Sequence, residues 1–353
     1  MNRHRYQAAA ELINTKLEQL TESIMQRSGI YENTKYSAYQ TQKCRQDTLY
    51  NLRYLAESLA IGSVGLWESY VRWLILLLGP LGINMVELAD HFRMIAEVLR
   101  DELDEEAAQY TLFLTAQAEN LILGDTPVQD PAQDPANLHY ESANHYQKLL
   151  LSSQKHQALD FIDDLLEKGI PCREIYLNIL QPVQREIGNL WHANKISVAQ
   201  EHYCSGITQL VIAKMYPRMF DAKPRKHKMV STCVSGELHE LGLRMVTDIM
   251  ELDGWDTCYL GANMPHEGIV STIKEKKVDL IAISVTFPLN LHKAQSLISQ
   301  IRAEAQLDGV KILVGGYPFL QDPLLWQKIG ADSFAPDANI ASRIATSLVE
   351  GAI

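Results

Sequence analysis

The residues best suited to chemistry lie in one short stretch, Val234-Ser-Gly-Glu-Leu-His-Glu-Leu-Gly242. It follows an apolar run and opens a helix-like run from Leu241 to Leu252. A strand leading through a glycine-bearing loop into a helix is the first unit of a nucleotide-type α/β domain. The loop lacks Gly-x-Gly-x-x-Gly, so a dinucleotide fits it poorly. It offers a single imidazole, His239, between Gly236 and Gly242, with Glu237 two residues before it. One such nitrogen above a sheet edge suits one metal. The plainer reading is a loop histidine beside an acid, with no task.

A second cluster lies upstream: Trp191-His192-Ala-Asn-Lys-Ile-Ser-Val-Ala-Gln-Glu201-His202. Local chemistry predicts a helix ending near Asn194. Ser197 can cap the next helix, with Gln200 three residues later completing a capping box. Trp191 then closes one helix while Glu201 and His202 sit in the first turns of another, so the two ends can converge on one ligand. An unbroken helix would hold them about three turns apart. The alternative is that Trp191 is core and Glu201 only favours a helix N-terminus.

Gly236-x-x-His239-x-x-Gly242 in a first loop resembles the cobalamin-binding domain, in which the histidine is the lower axial ligand of cobalt. The usual form has Asp two residues before the histidine. Glu237 stands there in this chain, as in the light-sensing branch related to the CarH photoreceptors. Such an acid fixes the ring tautomer and raises the basicity of the ligand. Trp, nine residues, then Glu-His is similar to the cap signature of CarH-type receptors, and the resemblance implies roles. Trp191 would pack over the 5′-deoxyadenosyl group. Glu201 and His202 would line its pocket, and His192 would take the upper cobalt position after light expels adenosyl. Glu237, Leu238, His239 and Gly242 would form the lower face.

These residues need elements to hold them. Residues 226–353 alternate strand and helix, with strands expected at Lys228–Val234, Asp256–Leu260, Leu280–Val285, Lys311–Val314 and Ser333–Ala335. Near-continuous apolar strands with crossover helices mean a parallel, doubly wound sheet, which binds ligands at the carboxyl ends of its strands. Gly261 lies in Leu260-Gly-Ala-Asn-Met-Pro265, which resembles a loop of the same family. Ser284 and Thr286 put two hydroxyls on one face of a strand end, where they suit the nucleotide tail or only bond backbone. Gly315 and Gly316 leave room for a dimethylbenzimidazole, or only make a turn.

Upstream, helices are expected at His139–Ser152, His156–Lys168, Pro171–Asn194 and Ser197–Phe220, forming a four-helix cap. Residues 124–137 carry three Asp/Thr-Pro pairs and read as a spacer. Helical spacing predicts further helices over residues 5–28, 47–59, 66–78, 85–99 and 105–122. The fold class is therefore α/β plus all-α: an all-helical domain at 1–123, a linker at 124–138, a cap at 139–224 and a Rossmann-like cobalamin domain at 225–353. Trp67, Tyr70 and Trp73 share one helix face, as a core or interface stripe or as a flat chromophore pocket. Cys44-Arg-Gln-Asp-Thr-Leu-Tyr-Asn-Leu-Arg-Tyr-Leu55 with Tyr70-Val-Arg-Trp73 looks similar to the sensory part of photocobilins. That resemblance implies a bilin such as biliverdin, although no cysteine stands in a context for covalent attachment.

The 353 residues carry a formal net charge of −11, which disfavours a phosphate backbone as partner. Five cysteines without a Cys-x-x-Cys pair fit a reducing cytoplasm. The most apolar run, Trp73–Leu78, is too short to span a bilayer, and no P-loop, nucleophile elbow or zinc spacing marks an enzyme. The resemblance leads to an adenosylcobalamin photoreceptor that signals through a light-dependent homo-oligomer, dimer or tetramer, and a protein partner, without direct DNA binding. A corrinoid methyl carrier serving methyltransferases is the alternative.

Overall fold

Apolar residues at helical spacing build the N-terminal part. Its helices are α1 (Arg3–Thr15), α2 (Leu17–Arg27), α3 (Ala38–Ile61), α4 (Val64–Leu78), α5 (Met85–Arg100) and α6 (Glu105–Leu123). The computed structural model describes residues 3–32, 36–124, 136–219 and 226–351. The helix expected over 5–28 is two, broken at Lys16. The second expected helix is much longer, because Ser37 and Gln40 form a full capping box well upstream of residue 47. Most of the expected linker lies outside the described residues.

Trp67 and Tyr70 are core residues. Trp67 is fully buried and its indole N–H donates to the Leu114 carbonyl at 2.6 Å. Tyr70 donates to Asn51 Oδ1 at 2.6 Å and stacks on Tyr54, with ring centroids 3.7 Å apart. The aromatic face is thus filled by its own neighbours, which corrects the chromophore pocket. A buried indole or phenol needs a hydrogen-bond partner, and here each finds one inside the bundle.

The described chain divides into two units. One comprises Met1–Val128 with Phe287–Ser296 and Tyr317–Gly330; the other comprises Gln129–Thr286, Leu297–Gly316 and Ala331–Ile353. Two segments that follow strands in the C-terminal half therefore group with the helices. Glu57, buried in α3, accepts from the His292 backbone N–H at 2.7 Å, and its other oxygen lies 2.9 Å from His292 Nδ1. The Ser63 hydroxyl donates to Asp322 at 2.6 Å.

The second unit opens with the cap: α7 (Tyr140–Leu151), α8 (Lys155–Glu167), α9 (Cys172–Ile175), α10 (Gln181–His192) and α11 (Val198–Met215). The single helix expected over 171–194 is interrupted by a π-helical turn, Tyr176–Leu180. Pro182 is the cause. It has no N–H for the Asn178 carbonyl, and its ring crowds that carbonyl. The released carbonyl accepts instead from Asn137 Nδ2 at 2.7 Å.

The sheet domain follows: β1 (Lys228–Val234), α12 (Leu241–Leu252), β2 (Asp256–Met264), α13 (His266–Lys276), β3 (Leu280–Ser284), α14 (Leu291–Ala303), β4 (Lys311–Gly315), α15 (Tyr317–Gln321), α16 (Leu325–Ile329), β5 (Ser333–Ala335) and α17 (Ala338–Glu350). The strands pair in parallel in the order β2-β1-β3-β4-β5. β3 is buried throughout and β1 from its second residue onward, as strands covered on both faces must be. Met245 and Ile249 of α12 share a hydrophobic core with the cap helices. Among the described residues no helix is long and apolar enough to cross a membrane.

Candidate functional site

In this strand order the chain leaves β1 toward β2 on one side and later returns to β3 on the other. The crevice at the carboxyl ends of β1 and β3 is where such sheets bind ligands. The loop Ser235–Glu240 stands there.

Glu237 is the centre of the loop. Its side chain is fully buried. One oxygen accepts from the His239 backbone N–H at 3.1 Å and lies 2.5 Å from His239 Nδ1. The other accepts from the Thr286 N–H, beyond β3, at 3.0 Å. A buried carboxylate needs such partners, and these tie the loop after β1 to the chain after β3. The hydrogen bond from Glu237 is the largest influence raising the His239 pKa. Burial opposes it, while the charges of Glu237 and Glu201 add to it. With Nδ1 engaged, Nε2 is the nitrogen left for a ligand. The His239 ring is exposed, as is Leu238 beside it.

β2 closes the loop from the other side. Asn263, at φ 55°, donates from its backbone N–H to the Glu237 carbonyl at 2.9 Å and accepts from the Gly236 N–H on its side-chain oxygen at 2.7 Å. Glu240 accepts from the Ala262 N–H at 2.8 Å and the Tyr259 hydroxyl at 2.9 Å. Sequence reasoning missed both Asn263 and Glu240. An asparagine inside an apolar strand end was the available signal for the first.

A tight turn separates Trp191 and His192, at the end of α10, from Glu201 and His202, in the first turns of α11. α10 ends as the Lys195 N–H reaches the Leu190 carbonyl and the Asn194 N–H reaches Trp191, both at 2.9 Å, with Asn194 at φ 56°. Ser197 caps α11 by accepting from the Gln200 N–H. The capping box is incomplete, because the Gln200 side chain donates to the Leu151 carbonyl at 2.9 Å and so anchors the turn to α7. Trp191 is 39% exposed and leans on the His192 ring, with centroids 4.8 Å apart. Glu201 accepts from Ser205 at 2.8 Å and lies 2.7 Å from His202 Nδ1; the His202 ring is otherwise exposed.

Three tail-site expectations change their physical reason. Thr286 lies past the end of β3, so the period-two argument stops at Ser284; Thr286 takes part through its backbone N–H. A Cβ on Gly316, at φ 110°, would lie 2.0 Å from the Val285 carbonyl oxygen, so that glycine is required by the backbone's own close approach. Gly261, at φ 77°, would drive a Cβ to 2.8 Å from Glu240. Gly242 differs: it is helical, and a Cβ there would meet nothing within 4 Å. The fold gives no packing reason for it, and the space a Cβ would fill is open.

This donor set fits a corrinoid: one oriented imidazole, an exposed apolar neighbour and free space at the helix start. Residues 227–344 match the B12 binding domain, and residues 143–215 match a second B12 binding domain model. The chain carries a cobalamin-binding module. The dimethylamine corrinoid protein of Methanosarcina barkeri is 31% identical over 34% of this chain and 56% of its own length. Dimethylamine corrinoid protein 2 of Methanosarcina acetivorans is 24% identical over 57% of this chain and 93% of its own length. Among solved structures, the Methanosarcina barkeri monomethylamine corrinoid protein shares the fold of the module at TM-score 0.53 and 21% identity, covering 60% of this chain and 99% of that one.

These relatives correct two expectations. The photoreceptor function inferred from Trp191, Glu201 and His202 gives way to the corrinoid-protein alternative, because the relatives matching cap and sheet domain together are methylamine corrinoid proteins. The light-dependent homo-oligomer and signalling partner fall with it. The three-residue signature was read as a light-sensor mark; in the structure Trp191 leans on His192, and Glu201 bonds Ser205 and lies beside His202, at a partly exposed helix turn.

Proposed function

We propose that this protein is a corrinoid methyl carrier, the non-catalytic partner of a methyltransferase. The likeness to methylamine corrinoid proteins through both cap and sheet domain supports this reading most directly. Bound cobalt supplies a centre that accepts and releases a methyl group. The chain's own residues bind and orient. His239 would offer Nε2 to the cobalt, and Glu237 would hold the ring in one tautomer and orientation. Leu238 and Gly242 would give the macrocycle an apolar, uncrowded seat. Gly261, Ser284, Thr286, Gly315 and Gly316 lie at the strand ends that would take the nucleotide tail. Trp191, His192, Glu201 and His202 would cover the upper face.

A carrier must admit a second protein to that face. The cap turn suits this, since Trp191 and His202 are exposed and paired with near neighbours in sequence. Residues 1–123 lie outside both matched regions, and we assign them to docking a partner.

The test is methyl turnover. The purified chain, loaded with hydroxocobalamin and reduced, is treated with methyl iodide and then with a thiol acceptor and a methylamine-type methyltransferase. Transfer that depends on the loaded chain supports the proposal. Equal transfer from free cobalamin, or no cobalamin bound after dialysis, overturns it.

A further inference from the structure

Glu240 stands at the N-cap position of α12, where a side-chain acceptor ordinarily satisfies a free helix N–H. It makes no such bond. Its carboxylate reaches to β2 instead, accepting from the Ala262 N–H and the Tyr259 hydroxyl. β2 is irregular there: its register with β1 shifts twice between Ser231 and Val234, and Gly261 and Asn263 both take positive φ. A bulge of this kind re-aims the chain beside a site. The absent Cβ of Gly261 is what lets Glu240 lie against it. The helix start thus gives up a local cap for a long-range hold on a shaped strand end.

The residue before Glu240 is His239. Its carbonyl accepts the Cys233 thiol at 3.8 Å, its N–H is bound by Glu237, and its next neighbour is pinned to β2. Glu237 orients the ring; Glu240 fixes the backbone that carries the ring. We infer that Glu240 is a positioning residue for His239, acting through Tyr259 and Ala262 to keep the imidazole ready before any corrinoid arrives. The inference rests on the reading of His239 as the axial ligand. What matters is an oxygen able to accept two bonds, so glutamine should serve and alanine should not.

The test uses the full chain as wild type, Glu240→Ala, Glu240→Gln and Tyr259→Phe. Hydrogen exchange on the cobalamin-free protein reads the loop alone. E240A should speed exchange at residues 237–242 and 261–263, while E240Q should stay near wild type. Protein labelled with ¹⁵N-histidine is then loaded with cob(II)alamin. A protein imidazole on cobalt gives a doublet in its electron paramagnetic resonance spectrum, whereas the cofactor's own ¹⁴N base gives a triplet. E240A should bind about tenfold more weakly, as outer partners of metal ligands do when removed, with the doublet reduced. E240Q should recover both, and Y259F should fall between.

Faster exchange in E240A with unchanged affinity and doublet would reduce Glu240 to a structural staple and overturn the inference. So would failure of E240Q to rescue. Should E240A not fold, E240Q and Y259F carry the test. A wild type that binds no cobalamin would instead remove the carrier reading, and the positioning role with it; the exchange data would then show only whether Glu240 holds the loop.

Discussion

The two histidine-bearing segments of the module are held in opposite ways. Around His239 the fully buried Glu237 carboxylate and the Asn263 side chain of β2 gather backbone N–H groups from beyond two strands, β1 and β3. At the cap turn, Trp191 leans on His192, Glu201 pairs with His202 and Ser205, and Gln200 reaches across to Leu151 as a long-range tie. The loop is held by buried side-chain bonds to distant backbone; at the turn the distant ties come from Gln200 and Tyr203, while Trp191 and His202 stay exposed. In the proposed carrier, His239 would have to be in place before the corrinoid binds, whereas the cap turn would have to be able to move aside. Preorganisation on one side and looseness on the other follow from what each segment is bonded to.

Four substitutions bear on that contrast. The largest effect should come from Glu237→Ala, which leaves His239 unoriented and the Thr286 N–H without its acceptor. Cobalamin affinity measured by equilibrium dialysis should drop about 10–100-fold. A loss under about threefold would break the contrast from the loop side.

Gly242→Ala should act in two directions. Alanine in a helix is about 1 kcal/mol better than glycine, and open space receives its Cβ, so the cobalamin-free protein should gain about that much in a urea titration. Affinity for the corrinoid should fall, because the methyl group enters the seat. A stabilised variant with undiminished affinity would show that the space serves nothing.

At the cap, Asn194→Ala puts a Cβ-bearing residue without a helpful side chain at positive φ, costing about 1 kcal/mol of stability in the same titration. The smallest effect belongs to Glu201→Ala. Its partners are near neighbours and partly solvated, so stability should move by no more than about 0.5 kcal/mol, and cobalamin retention should stay within about threefold of wild type. A loss comparable to that of Glu237→Ala would mean the cap turn is held as rigidly as the loop.

Much of this was legible in one dimension. β1 and β5 fall where apolar runs and turn residues put them, and β1 reads as a continuous hydrophobic stretch because it is buried on both faces. His239 and Glu237 stand out because loop chemistry is sparse and an imidazole two residues from an acid is specific. The π-turn escaped, although Pro182 was in view, since a proline inside a helix can end it, kink it or widen it. The aromatic stripe was visible as a stripe. Whether its inner side met a ligand or Leu114 and Asn51 depended on helices distant in sequence.

By itself the sequence determined the class of the fold, the loop bearing Glu237 and His239 and the turn bearing Trp191 and Glu201, because each rests on periodicity or spacing within a few turns of chain. Tertiary structure alone decided that Glu237 binds the Thr286 amide, that Glu240 turns from its own helix to β2, that Gly316 answers to Val285, and that Phe287–Ser296 groups with the N-terminal helices. Each of these joins atoms from residues far apart along the chain. Such pairings depend on strand order and register, which no local pattern encodes.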